Sequence, residues 1–215
     1  MQQGWKSGLA RFADWFSRMA YINLMWIGFT IMGLVVFGFI PATTAMFSVM
    51  RKWIKGDLDS SVLKTFWGYY RQEFIKSNLA GVGMLIIGYV LYVDLFLFEL
   101  GSMPLIQIPV YILAVLYLLM CAFFFTIYVQ FDLKWYQYMK MAFLMAFAAP
   151  FRAVSMLVSG YLVFFLMTKM SVVMIFFLGS FISYLWLMIS LPTFSKLENP
   201  HSKGHQSKMD AKSSA

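Results

Sequence analysis

Charge is scarce in this sequence. Lys, Arg, Asp and Glu make up 12% of its 215 residues, against 61% apolar, where a soluble domain carries about 25% charge. A chain so short of charge cannot cover a water-facing surface, which excludes a soluble fold. Its apolar content excludes disorder over most of its length. Cysteine is nearly absent too. Cys121 stands alone, so no intramolecular disulfide and no multi-cysteine metal site is expected, and its apolar setting reads as a buried thiol. Acidic residues number nine against seventeen basic ones, for a net charge of +8. That excess does not point to nucleic acid, because the basic residues gather at the edges of apolar runs and in the tail, where they face lipid headgroups. A glycine-rich phosphate loop, a zinc-protease motif and a nucleophile elbow are all missing. No enzyme is expected, and no catalytic, cofactor or metal residues. His201 and His205 supply two ligands in a polar tail, too few to close a metal site.

What the chain does have is long apolar runs, and these name the lipid bilayer as its solvent. A helix needs about 20 residues to cross the roughly 30 Å hydrocarbon core. The runs are 19–40, a short 41–54, 77–98, 104–130, 153–168 and 170–195. They predict an all-α fold: a polytopic integral membrane helix bundle of five full spans, with a short returning helix after Pro41. Residues 1–195 form one membrane-embedded domain, and 196–215 a polar, disordered cytoplasmic tail.

The first run is the awkward one. No charge occurs from Met19 to Met50, too long a stretch for one span and too short for two. Gly38 and Pro41 interrupt it, and proline at the first position of a new helix loses nothing by lacking an N–H. A turn near Gly38–Pro41 is therefore expected, making a helical hairpin or partial re-entry that other protein segments bury. Its uncleaved apolar stretch exceeds the 7–15-residue core of a signal peptide. Lysine and arginine in 51–76, 131–152 and the tail place these segments in the cytoplasm of a multi-pass plasma-membrane protein. Lys6, Arg11 and Arg18 put the N-terminus there as well, whereas a single first span would leave it outside.

Three segments on that side, 5–18, 58–76 and 131–149, repeat apolar residues at helical spacing, as interfacial amphipathic helices do. Asp94 and Glu99 fall near the outer end of a span, where a carboxylate reaches water cheaply. The residues chosen as the hairpin's constellation are Asn23, Pro41, Thr43, Thr44 and Arg51, with Arg71 and Arg152 as candidates on the cytoplasmic face.

Those residues fall within recognisable stretches. Asn23-Leu24-Met25-Trp26, Pro41-Ala42-Thr43-Thr44-Ala45 and Arg51-Lys52-Trp53 resemble the front half of the YesL-type family of bacterial multi-span membrane proteins. Phe66 to Lys76, with Tyr70-Arg71 and Glu73-Phe74, resembles that family's aromatic-basic segment, and Ala149-Pro150-Phe151-Arg152 a later motif. The family is a domain of unknown function whose members are often encoded beside carbohydrate uptake systems. The resemblance implies an accessory role in sugar or oligosaccharide uptake, with a transporter or membrane sensor as partner. A small channel or carrier is the alternative.

Overall fold

The computed structural model describes residues 2–58, 60–96, 104–169 and 171–198. Among these lie seven helices and no strand: α1 Gln2–Met32, α2 Val36–Ile54, α3 Val62–Phe96, α4 Pro104–Gln130, α5 Trp135–Ala148, α6 Pro150–Thr168 and α7 Ser171–Glu198. Four carry stretches long and apolar enough to cross a bilayer, namely α3, α4 from Ile108, α6, and α7 over Phe176–Phe194. Lipid favours this element because a helix satisfies its backbone N–H and C=O groups internally. Glu99, His201, His205 and the tail beyond Glu198 lie outside the described residues.

Two of the three amphipathic segments are not separate helices. Residues 5–18 run unbroken into the first apolar run as α1, and residues 62–76 continue into the next as α3. No glycine–proline punctuation separates amphipathic from apolar sequence there, so the backbone has no reason to stop. With 35 residues, α3 is about 52 Å long, well beyond the ~30 Å hydrocarbon core. Only α5, after the break at Phe131–Lys134, forms a short helix of its own.

The hairpin turns earlier than the sequence suggests. Helix α1 ends at Met32 and α2 begins at Val36, so Gly38 and Pro41 lie inside α2. The turn is a Schellman closure: Val35 N–H donates to Thr30 O at 2.9 Å and Leu34 N–H to Ile31 O at 3.0 Å. Leu34 holds the left-handed position with φ 59°, and Val35 follows at φ 63°. Val36 N–H then donates to Leu34 O at 2.7 Å, a tight γ-turn of the strained hand. The glycines serve a different need. A Cβ on Gly38 would run into Thr30 O and the Gly33 backbone, and one on Gly33 would meet Gly38 and the Tyr70 hydroxyl. Backbone therefore packs on backbone where the two arms meet.

Proline is tolerated inside α2 because its missing donor is replaced from outside. Without an N–H at Pro41, Phe37 O loses its helical partner. Asn78 on α3 donates its Nδ2 to that carbonyl at 2.9 Å and to Phe74 O at 2.9 Å. Tyr70, two turns earlier on α3, donates its hydroxyl to Phe29 O at 3.2 Å. Helix α3 thus clamps both arms of the hairpin near its tip.

Packing is organised in two apolar clusters. One joins α1, α2, α3 and α7 around Met19, Ile22, Phe47, Phe66 and Leu187. The other joins α3 to α7 around Phe123, Tyr138, Met145, Met156 and Phe194. Phe47 and Phe125 stack at 5.5 Å where the two meet.

Candidate functional site

Four of the five hairpin residues singled out from the sequence, Asn23, Pro41, Thr43 and Thr44, are buried and committed to packing. Asn23 Oδ1 accepts the main-chain N–H of Ser180 on α7 at 3.2 Å. Gly179 leaves room for it, since a Cβ there would lie 2.7 Å from that oxygen. Thr43 Oγ1 accepts the Trp26 indole N–H at 3.0 Å and donates to Phe39 O at 2.7 Å. Thr44 Oγ1 donates to Ile40 O at 2.9 Å. Pro41 is buried as well. These groups tie α1, α2 and α7 together.

Arg51, near the end of α2, leads elsewhere. Its Nε–H donates to Gln130 Oε1 at 2.8 Å, in the wall of a cleft of about 450 Å³ lined by Ser48, Arg51, Tyr69, Glu73, Lys76, Tyr128, Asp132 and Tyr138, among others. Four elements build it. From α4, Tyr128 donates its hydroxyl to Glu73 Oε2 on α3 at 2.8 Å. Lys76 Nζ donates to Asp132 Oδ1 at 2.6 Å and lies 5.5 Å from the centre of the Tyr138 ring. Tyr138 donates to Phe131 O at 3.2 Å and accepts Leu133 N–H at 3.1 Å, which fixes the connection from α4 to α5.

Two cations and two anions line this cleft among the described residues, so its formal charge balances. Tyrosine faces, amide groups and an arginine with donors to spare make it a surface for polar contacts. Pockets that hold small ligands commonly enclose about 300–1,000 Å³ but are mostly apolar; this one is the reverse. One turn deeper on α4, Phe124 packs 6.1 Å from the Tyr128 ring, and the apolar core closes the floor.

The contact with Lys76 holds the Asp132 carboxyl below its ordinary range. The sign follows from linkage. A depressed folded value means that the pair contributes in full above the unfolded carboxylate range and is lost as pH falls through the lowered value. Asp132 is exposed, so the contribution is small and screened by salt. Asp132→Asn is expected to melt slightly below the parent at neutral pH and low salt, and to converge with it once pH falls through the carboxylate range. Thermal melts of both proteins across pH check this; a constant offset would contradict it.

Of the cytoplasmic-face candidates, neither joins the cleft. Arg71 is exposed on α3, and Arg152 on α6 donates to Thr193 on α7. The residues that do join Arg51 are ones the sequence reading did not select: Glu73, Lys76, Tyr128, Gln130, Asp132 and Tyr138. One signal was available. Glu73 is the sole acidic residue between Asp59 and Asp94, in a stretch otherwise edged with Lys64, Arg71 and Lys76. A lone carboxylate in such a setting calls for a partner.

The chain matches known proteins along nearly all its length. Residues 19–95 match the family described as protein of unknown function, DUF624. The uncharacterised protein YteU of Bacillus subtilis (strain 168) is 37% identical over 203 residues, covering 92% of this chain and 91% of its own. YesL of the same organism is 28% identical, covering 92% and 94%, and YesV 26% identical, covering 86% and 90%. No solved structure matches.

Proposed function

Because this chain belongs to the YesL-type family of membrane proteins, DUF624, we propose that it is a non-enzymatic accessory of a bacterial carbohydrate uptake system. It works in the plasma membrane by docking a transporter or sensor subunit. The observation that carries this reading is the cleft. It is polar, balanced in charge and assembled from α2, α3, α4 and α5, at the end of the bundle where Arg51 and Lys76 line it. Positive-inside sorting assigns that end to the cytoplasm. Side chains already paired within the cleft can exchange partners with a docked segment at little net cost. The carbohydrate part follows from the family resemblance, whose members are often encoded beside sugar uptake systems.

In this reading α1 and α2 enter the bilayer and return. From Met19 to Met32 the uncharged part of α1 is only about 21 Å long, and that of α2 up to Met50 about 22 Å, both short of a ~30 Å core. The protein then has four spans and a re-entrant hairpin in place of five spans and a returning helix, with both termini in the cytoplasm. The alternative, a small channel or carrier, would draw on the same hairpin as a lining. It is disfavoured because the Thr43 and Thr44 hydroxyls are spent on α2's own carbonyls and Phe47–Phe125 stacking fills the space beside them.

Affinity capture of the tagged chain from membranes in mild detergent tests the proposal. A sugar-transport or sensor component is expected to be recovered with it, and to be absent with the charge reversal Glu73→Lys. Recovery of the chain alone would contradict the accessory role. Solute flux in liposomes holding only this protein would favour the carrier.

A further inference from the structure

Beside the cleft, α3 and the start of α5 form a second, open groove of about 770 Å³, lined by Ile75, Lys76, Leu79, Lys134, Trp135 and Tyr136 among others. Its lining is divided. At one end stand Lys76 and Lys134, with the exposed Arg71 one turn before Ile75 on α3 and Lys140 one turn after Tyr136 on α5. Beside Lys76, Ile75 is 79% exposed, and from it Leu79, Val82 and Ile86 continue an exposed apolar stripe along α3, away from Arg71 and Lys76. Spacings of three and four residues keep these side chains on one face. The stripe leads into an apolar groove of about 420 Å³ among α3, α4 and α5, lined by Ile86, Val90, Leu113 and Phe143 among others. Trp135 and Tyr136 sit at the junction of the two halves, edge to face at 5.7 Å, as aromatic residues do at headgroup level.

We propose that this groove is a binding site for an anionic phospholipid, its phosphate against Lys134 and Lys76 and one acyl chain laid along Ile75, Leu79, Val82 and Ile86. The charge matches. Four cations face the groove or rim it, and among the described residues Asp132 is the one carboxylate lining it, already bonded to Lys76. The length matches as well. From Ile75 to Ile86 the helix rises about 16 Å, close to half of a ~30 Å hydrocarbon core, the reach of a single acyl chain. A free phosphate or glycerol phosphate would use the cationic end and leave the stripe unused, so the apolar track selects the lipid. This proposal does not rest on the transport reading: Lys76 and Asp132 line both cavities, but Lys134 lines the groove and not the cleft, so its variants test the lipid site alone.

The test uses the purified full-length protein in a neutral detergent, with lipid binding read by native mass spectrometry and by thermal melting. Phosphatidylglycerol is expected to bind and to raise the melting midpoint, whereas phosphatidylcholine and phosphatidylethanolamine do so much less. Glycerol 3-phosphate, which has the headgroup without chains, is expected not to compete. Lys134→Glu should weaken phosphatidylglycerol binding about tenfold, because it removes one attractive charge at the surface and puts a repulsive one in its place. Lys134→Arg should retain it, and Lys55→Glu, on the distant α2–α3 connection, should leave it unchanged. Equal binding of all three lipids, equal binding by Lys134→Glu, or displacement by glycerol 3-phosphate would each overturn the proposal.

Discussion

Gly38→Ala is expected to destabilise the protein by about 3 kcal/mol, the upper end of the usual penalty for overpacking. The added methyl has nowhere to go, since its neighbours are the Thr30 carbonyl and the Gly33 backbone across the hairpin. Side chains can rotate out of a clash; backbone cannot do so without moving a helix. Both arms would have to part, taking with them the Tyr70 bond to Phe29 O and the glycine contact at the tip. Gly28→Ala supplies the control, because a methyl at that glycine would meet no neighbour within 4 Å and alanine is the better helix former. Thermal unfolding in detergent should show a large drop for the first variant and none for the second. Similar midpoints for the two would mean that the arms do not meet at Gly33 and Gly38.

The second large effect is a coupling. Asn78→Leu removes the donor that replaces Pro41's missing N–H, leaving Phe37 O without that partner. A cost of about 1–3 kcal/mol is expected. In a Pro41→Ala background the same change should cost little, because alanine at that position brings its own N–H to Phe37 O. The double-mutant cycle isolates this pairing from general packing. Equal cost of Asn78→Leu in both backgrounds would show that the asparagine does not serve the proline.

This pair also explains where sequence reading succeeds and where it stops. Scarce charge and long apolar runs are properties of composition, so a helical membrane fold was legible from the start. The hairpin was legible as well, because the stretch from Met19 to Met50 fits no whole number of spans. Its turn was not. Proline and glycine carry local rules, and by those rules Pro41 begins a helix; its actual tolerance depends on Asn78, from another helix. The left-handed residues Leu34 and Val35 carry no turn signature at all, since such positions ordinarily take glycine. The cleft was hidden for a related reason. Tyr128 and Glu73 are separated by 55 positions, and Arg51 and Gln130 by 79. Periodicity reports which face a residue occupies, not which residue of a distant helix it meets. Arg51 could be picked out alone, but its neighbours required the bundle.

Labelling of single cysteines tests the re-entrant hairpin most directly. In a Cys121→Ser background, Ser7→Cys, Leu34→Cys and Ser202→Cys would be exposed to a membrane-impermeant maleimide, in intact cells and in inside-out vesicles. Ser7→Cys and Ser202→Cys are expected to react only in inside-out vesicles, and Leu34→Cys from neither side until detergent is added. Reaction of Leu34→Cys in intact cells would make α1 and α2 full spans. Reaction of Ser7→Cys there would put the N-terminus outside and contradict the hairpin.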